Sequence, residues 1–251
     1  MDLQDRLTAV RHRIQEACRR SGRSPEELRI IAITKYTTLE VTERILQLGV
    51  SHVGESRWQD ARDKWQALRA TGTWHFIGHL QTNKVKDAVG KFAYIHSLDR
   101  LALAEEIEKK AAALQTVVNC FIQVNVSGEQ TKQGLPPESL FTFAEEIAGM
   151  EHIRIAGLMT MAPHEADPEA TRPVFKRLRE LRDDLNALSI LKYEVGGLSM
   201  GMSNDFEVAV EEGATWLRLG SVLLGRPEGN NGIRPVGVTS GGAADAGSRG
   251  L

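Results

Sequence analysis

Short apolar runs of strand length alternate with amphipathic helical patterns along most of the chain. A helical pattern at about Leu3–Ser21 comes first, and others follow the strand-like runs, such as Leu39–Leu48, Leu101–Leu114, Leu140–Met150 and Pro173–Leu188. The strand-like runs lie near Ile30–Thr34, His52–Gly54, Trp74–Gly78, Ala93–His96, Val117–Asn125, Ile153–Gly157, Tyr193–Val195 and Thr215–Leu219. Eight such runs with helices between them predict an α/β fold, a closed parallel (β/α)8 TIM barrel with an extra N-terminal helix. An open doubly wound sheet is the alternative, although the second half has no dinucleotide-binding fingerprint.

The alternating pattern ends at Gly225. Residues 226–251 are rich in glycine, alanine and serine and have almost no apolar periodicity. Such a composition cannot bury enough apolar surface to fold by itself. We therefore predict one barrel domain over residues 1–225 and a flexible tail over residues 226–251.

Two segments rich in glycine and serine follow the last two strand-like regions. One runs from Ser199 through Gly201 to Ser203, and the other is Gly220-Ser221. Glycine lets backbone N–H groups approach an anion closely, and serine adds a hydroxyl donor. In a (β/α)8 barrel, the loops after strands seven and eight are where phosphates usually bind. We predict a phosphate site built from these segments, against the alternative of two ordinary glycine turns.

A lysine and an arginine are predicted to face the same end of the barrel. Lys35 follows the apolar run that ends at Thr34, and strand alternation places Ile31, Ile33 and Lys35 on one face. Alternation likewise gives Arg218 and Gly220 one face of the last strand. A partly desolvated amine is a good Schiff-base nucleophile. Because strands one and eight are neighbours in a closed barrel, we expect Lys35 and Arg218 to lie close together.

Several segments resemble the pyridoxal phosphate homeostasis proteins, the YggS/PROSC family. They occur in the family's order and cover nearly the whole predicted barrel: Ile33-Thr34-Lys35, His52–Glu55, Trp74–Lys84, Gln123–Ser127, Gly157–Thr160 and Leu198–Ser203. One departure is visible, because Ser56 stands where the family usually has asparagine. We therefore assign no role to Ser56.

The resemblance implies the barrel of the alanine racemase N-terminal-domain type, with pyridoxal 5′-phosphate (PLP) held as an aldimine on Lys35. It also implies a role in balancing free PLP and the amino- and keto-acid pools. The phosphate is expected at Ser199, Gly201, Gly220 and Ser221, and Arg218 is expected at the pyridine nitrogen. His79, at the predicted end of the third strand, is read either as a pocket residue beside the cofactor or as a core histidine.

Other chemistries fit a lysine beside a phosphate site. A sugar-phosphate aldolase is one, but it has no obvious use for a guanidinium beside its lysine. A racemase or decarboxylase is another. An arginine at the pyridine nitrogen can only donate, which weakens PLP as an electron sink, and the chain lacks a racemase's second domain. Tyr36 is predicted to face away from Lys35, so it offers no second base. We expect negligible turnover; an enzyme of alanine-racemase fold or a PLP-responsive regulatory protein remains the alternative.

Composition narrows the partners and the compartment. The chain has 251 residues, 41% hydrophobic and 25% charged, with a formal net charge of −2. That charge gives no footprint for nucleic acid or for an anionic membrane. Its 2 cysteines suggest neither a disulfide framework nor a metal site, and no apolar run reaches membrane-spanning length. We predict a cytoplasmic monomer whose partners are PLP and either PLP-dependent apoenzymes or a regulatory protein.

Overall fold

The computed structural model describes residues 2–129, 131–163 and 167–225. In these residues, eight parallel strands close into a barrel in chain order, with the last strand paired to the first. The strands are β1 Arg29–Ile33, β2 His52–Glu55, β3 Thr73–Phe76, β4 Tyr94–Leu98, β5 Val118–Gln123, β6 Ile153–Met159, β7 Gly197–Ser199 and β8 Trp216–Leu219. The predicted barrel is confirmed.

Helices lie between the strands and around them. They are α1 Leu3–Ser21, α2 Leu39–Gln47, α3 Trp58–Leu68, α4 Val85–Ala88, α5 Leu101–Ala113, α6 Leu140–Ile147, α7 Arg172–Ala187, α8 Phe206–Glu211 and α9 Ser221–Leu224. The predicted extra N-terminal helix is α1, which begins with a capping box in which Asp2 and Asp5 bond reciprocally. In the described part of the chain, no helix combines the length and the apolar character that crossing a bilayer requires. The predicted tail at residues 226–251 lies outside the described residues.

The seventh strand is not where the apolar pattern put it. Tyr193–Val195 was the predicted run, but the strand is Gly197–Ser199, and the Tyr193 hydroxyl accepts a bond from the Ile155 amide at 2.8 Å. The strand contains a glycine because β6 and β7 approach closely: a Cβ added to Gly157 would lie 2.1 Å from the Gly197 carbonyl oxygen. A glycine in a strand weakens the sequence pattern that identifies it.

A small apolar cluster with two aromatic rings lies inside the barrel. Ile31, Phe121, Met159 and Trp216 form an interior cluster in which each is buried. A Cβ on Gly197 would lie 2.8 Å from the Phe121 ring, so the close β6–β7 contact makes room for that ring. The interior position of Trp216 fits the alternation of side chains along β8. Arg218, two residues later, faces the same side.

Helix α1 packs against α8 and α9, and charged side chains also link it to α8. Arg13 pairs with Glu207 and Arg20 pairs with Glu211, both at 2.7 Å. Arg23 donates to the Val210 carbonyl at 2.6 Å. Arg13, Arg20 and Arg23 therefore link α1 and the residues just after it to α8.

Candidate functional site

A cavity of about 870 Å³ opens at the carboxyl ends of the first and last strands. Lys35, Arg218, Gly220 and Ser221 all line it, so strands β1 and β8 bring the predicted lysine, arginine and second glycine segment together. Lys35 is half-buried, whereas Arg218 is only 5% exposed. This juxtaposition follows from the β1–β8 register, in which Ile31 pairs with Arg218.

The loop that carries Lys35 is fixed from below by a buried ion pair. Lys64 of α3 donates to the Thr34 carbonyl at 2.7 Å and to Glu55 Oε1 at 2.5 Å. The Thr34 hydroxyl donates to the same Glu55 oxygen at 2.7 Å. Glu55 is the last residue of β2 and is fully buried. These bonds tie the backbone on the N-terminal side of Lys35 to the neighbouring strand and helix.

Arg218 is held rigidly inside the barrel. Its Nη1 donates to Ser199 Oγ at 2.8 Å, and its Nη2 donates to the Thr160 carbonyl at 2.9 Å. Its backbone N–H also donates to the Gly201 carbonyl at 3.0 Å. Burial lowers the pKa of Arg218 to about 10, so it is still a cation at neutral pH. A guanidinium has five N–H donors and no acceptor, which leaves donors for a ligand in the cavity.

Ser199 and Gly201 were predicted to touch a phosphate, but neither lines the cavity. Ser199 is fully buried, and its hydroxyl contacts Arg218 and His96 Nδ1, the latter at 2.9 Å. Gly201 has a φ of +89°, and a Cβ there would lie 2.6 Å from the Ala209 Cβ. The structure thus gives Ser199 a place behind Arg218 and gives Gly201 a close contact with α8.

In the described residues, the backbone donors best placed to bind a phosphate lie around Ser203 instead. Its Oγ accepts N–H bonds from Gly220 and Val222, both at 3.3 Å, and Ser203 lines the cavity with Ser221. A hydroxyl oxygen thus rests where two backbone N–H groups converge at the start of α9. Converging N–H groups are the usual recognition device for phosphate oxygens. Asp205 is the N-cap residue of α8, but its Oδ1 accepts from the Met202 amide at 2.6 Å, and no side-chain capping bond to the helix is formed.

Two further side chains do not lie where the sequence pattern placed them. His79 is exposed and does not line the cavity, because β3 ends at Phe76 and the chain leaves the strand direction before His79. Tyr36 does not face away from Lys35: the Lys35 amine lies 4.9 Å from the Tyr36 ring centroid, and Tyr36 lines the cavity while 72% exposed. Alternation stops being a guide where a strand ends.

Three histidines inside the barrel were not assigned a role from the sequence. His52, His75 and His96 stand on β2, β3 and β4. His52 Nδ1 lies 3.0 Å from His75 Nε2, and His75 Nδ1 lies 2.9 Å from His96 Nε2. Burial holds the pKa of His75 and of His96 well below the usual range, and the charge of Arg218 acts on His96 in the same direction. Both imidazoles are therefore neutral at pH 7.

In the described residues, no group of three or more His, Cys, Asp or Glu side chains is arranged to bind a metal ion. The site's chemistry consists of cationic and neutral donors: an amine, a guanidinium, hydroxyls and backbone amides. Such a set suits a ligand that carries a carbonyl carbon, a ring nitrogen acceptor and a phosphate.

Comparison with known proteins gives the family. Residues 6–227 match the family model of the alanine racemase N-terminal domain. A pyridoxal phosphate homeostasis protein of Aquifex aeolicus is 45% identical over 228 residues, which cover 90% of this chain and 98% of the relative. The chain belongs to the pyridoxal phosphate homeostasis protein family. The resemblance found in the sequence motifs is thereby confirmed.

Two more similar proteins support this result. The pyridoxal phosphate homeostasis protein of Pseudomonas aeruginosa is 36% identical over 88% of this chain and 94% of its own length. The solved structure of PipY of Synechococcus elongatus with PLP bound has a TM-score of 0.78 and 31% identity, and covers 89% of this chain and 100% of PipY. The whole described barrel is thus the family's fold.

Proposed function

We propose that this chain binds PLP in the cavity between β1 and β8 and takes part in PLP homeostasis. The observation that carries the proposal is that Lys35, Arg218 and the Gly220-Ser221 turn line one cavity of about 870 Å³. An amine, a fixed guanidinium and converging N–H groups match the aldehyde, the pyridine nitrogen and the phosphate of this cofactor. Membership of the family and the PLP bound to its relative PipY support the same conclusion.

Each lining residue has a role in this proposal. The Lys35 amine would hold the cofactor's aldehyde carbon covalently, and Arg218 would donate to the pyridine nitrogen. Ser203, Gly220 and Ser221 would bind the phosphate, with a phosphate oxygen taking the place of Ser203 Oγ between the Gly220 and Val222 amides. When bound, PLP supplies an aldehyde that reacts reversibly with amines. Because Ser199 faces the back of Arg218, we assign it to positioning the guanidinium.

The charge beside the ring nitrogen favours a carrier over an enzyme. Arg218 can only donate, so it leaves the pyridine nitrogen unprotonated, and an unprotonated ring withdraws electrons poorly. Carbanion chemistry on PLP usually relies on an acidic partner there. We therefore propose that the protein holds and releases PLP, with negligible racemase, transaminase or decarboxylase turnover. Delivery to PLP-dependent apoenzymes, action on a regulatory protein, a monomeric state and a cytoplasmic location stay predictions.

One observation favours a second candidate, an amino-acid racemase of alanine-racemase fold. Tyr36 lines the cavity beside Lys35, so a phenol is available as a second acid or base. The ring is 72% exposed to water, and water-exposed groups gain little of the electrostatic advantage that a closed site gives. Stereospecific exchange of the α-proton of an amino acid at about 1 s⁻¹ or faster, abolished in Tyr36→Phe, would establish this candidate instead.

The binding proposal is tested by reducing the PLP-loaded protein with borohydride and locating the pyridoxyl group by peptide mass spectrometry. We expect the label on Lys35 and its loss in Lys35→Ala. Lys84, which is exposed, and Lys132, which pairs with Glu129 at 3.1 Å, are internal controls. A label on either of them with Lys35 unmodified would contradict the assignment.

A further inference from the structure

The interior histidines form an unbroken line of hydrogen bonds across the barrel. Their order is set by the strands: His52 begins β2 at the amino end, His75 and His96 stand at middle heights, and Ser199 ends β7 at the carboxyl end. His96 Nδ1 lies 2.9 Å from Ser199 Oγ, which in turn accepts from Arg218. At the other end, His52 lines a recess of about 470 Å³.

We propose that this line is one polarised chain that couples the recess at the amino ends of the strands to the cavity at the carboxyl ends. Every donor points away from the cavity. The members, in order, are Arg218, Ser199, His96, His75 and His52, and we refer to them as the histidine chain. The histidines act as positioning residues for Arg218. The direction of the chain follows from hydrogen-bond chemistry alone, whereas its effect on PLP rests on the proposed function.

Arg218 sets the direction because it cannot accept a hydrogen bond. Ser199 Oγ must therefore accept from it, which leaves one hydroxyl proton on Ser199 to place. Among the described residues, the other partner of this fully buried hydroxyl is His96 Nδ1. If His96 Nδ1 were the donor, the serine proton would be buried without an acceptor, which is costly. Ser199 therefore donates to His96, and neutral His96 carries its proton on Nε2.

The next two hydrogen bonds run in the same direction. His96 Nε2–H donates to His75 Nδ1, so neutral His75 carries its proton on Nε2 and donates to His52 Nδ1. Aromatic rings enclose the line and limit other partners. Tyr94 stacks on His75 with centroids 4.6 Å apart, and Phe121 stacks on His96 at 4.3 Å. His75 and His96 therefore have the same tautomer, with the proton on Nε2.

His52 is the half-buried member through which the surroundings can act on the chain. The charged or titratable groups that face it are Arg29 of β1 and His75 of β3, and Arg11 and Glu26 also line the recess. Trp216 of β8 contacts its ring edge-on at 5.0 Å. Burial and Arg29 lower the pKa of His52, so His52 is neutral at pH 7.

A proton added to His52 must go to Nδ1, the nitrogen that already accepts from His75. Either two N–H groups then face each other, or each histidine moves its proton one nitrogen along. In the second case His96 donates to Ser199, which then accepts from both sides and leaves its own proton unpaired. Both results disturb the acceptor that holds Arg218. Protonation at the recess should therefore weaken binding in the cavity on the opposite side of the barrel.

The direction is tested without any ligand, by NMR of the full chain labelled with ¹⁵N-histidine. At pH 7.5 we expect both His75 and His96 to be protonated on Nε2 and unprotonated on Nδ1. In Arg218→Met the donor that imposes the direction is gone, and we expect the single tautomer to be replaced by a mixture. A His96 protonated on Nδ1 in the native chain would overturn the proposal.

The coupling is tested by measuring PLP affinity from pH 5 to pH 8 in the native chain, in His52→Phe and in the surface control His12→Gln. The PLP phosphate itself titrates near pH 6, so the ratio of the affinities is compared. Below the pH at which His52 titrates by NMR, the native chain should lose affinity relative to His52→Phe, by up to about tenfold per pH unit. Equal profiles in the two proteins would overturn the coupling. Failure of every protein to bind PLP would contradict the proposed function, and the tautomers would still decide the direction.

Discussion

Lys64 Nζ lies 2.5 Å from Glu55 Oε1, and both side chains are buried beneath the loop that leads to Lys35. The amine also donates to the Thr34 carbonyl, directly before Lys35 in the chain. One buried cation thus serves a carboxylate on β2 and a backbone oxygen at the end of β1. The position of the Lys35 backbone depends on this pair.

Replacing Lys64 with methionine should destabilise the protein by about 3–5 kcal/mol, because Glu55 is left as a buried charge without its partner. The measurement is the free energy of unfolding from urea titration. Arg62→Met is the matched control on the same helix: Arg62 pairs with Asp63 at 3.1 Å, but those side chains are 58% and 83% exposed. Exposed pairs contribute about 0–1 kcal/mol. Equal losses in the two variants would contradict the role given to the buried pair.

Ser221→Ala and Ser199→Ala should both weaken PLP binding, for different reasons. Ser221 lines the cavity, so its loss removes a phosphate contact worth about 1.5–3 kcal/mol, or roughly tenfold to a hundredfold in affinity. Ser199 acts through Arg218, which lies away from the phosphate in our proposal. The measurement is the affinity for PLP and for pyridoxal, which lacks the phosphate.

The two ligands separate the two roles. Ser221→Ala should lower PLP affinity and leave pyridoxal affinity nearly as it was. Ser199→Ala should lower both affinities by a similar factor. If Ser199→Ala instead affected PLP alone, the original prediction that Ser199 binds phosphate would be right, and the buried position of its hydroxyl would have to change on binding.

Arg218→Glu should change the absorption spectrum of the bound cofactor. A carboxylate can accept a hydrogen bond from a protonated pyridine nitrogen, so it favours the protonated ring. The guanidinium can only donate, so it favours the unprotonated ring. Slow transaminase-like side reactions should rise at the same time, because a protonated ring is a better electron sink. Arg218→Gln is the control that removes the arginine without adding an acid. A folded Arg218→Glu protein that binds PLP with an unchanged spectrum would place Arg218 away from the ring nitrogen.

Sequence reasoning located the residues whose position depends on strand alternation and on neighbouring strands. Lys35 and Arg218 lie together because β1 and β8 are adjacent and each residue extends an inward-facing row. The sequence did not predict how deep in the barrel each side chain lies. Ser199 also faces inward, but it lies behind Arg218 and does not line the cavity. The depth of a side chain in a barrel depends on strand tilt and stagger, which no local pattern contains.

The sequence also could not predict the positions of residues beyond the strand ends or contacts between separate strands. His79 was counted along a strand that ends at Phe76, and Tyr36 was placed by alternation beyond the end of β1. The line from His52 through His75 to His96 depends on the registers of three strands. No local pattern links the three histidines, so only their three-dimensional juxtaposition identifies them as a group.

The buried histidines predict a loss of stability in acid. The pKa of His75 and of His96 is well below 6.5 in the folded chain because of burial, whereas the unfolded chain takes up protons near pH 6.5. The unfolded state therefore binds more protons as pH falls below about 6.5, so the stability present above that pH is lost progressively on acidification. Each histidine contributes up to about 1.4 kcal/mol per pH unit. Urea unfolding from pH 5 to pH 7.5 measures how the free energy of unfolding changes with pH. His75→Gln should reduce that slope by the equivalent of about one proton, whereas the exposed control His79→Gln should leave it unchanged. A slope that is the same in His75→Gln and the native chain would mean that His75 takes up its proton as readily inside the barrel as in the unfolded chain.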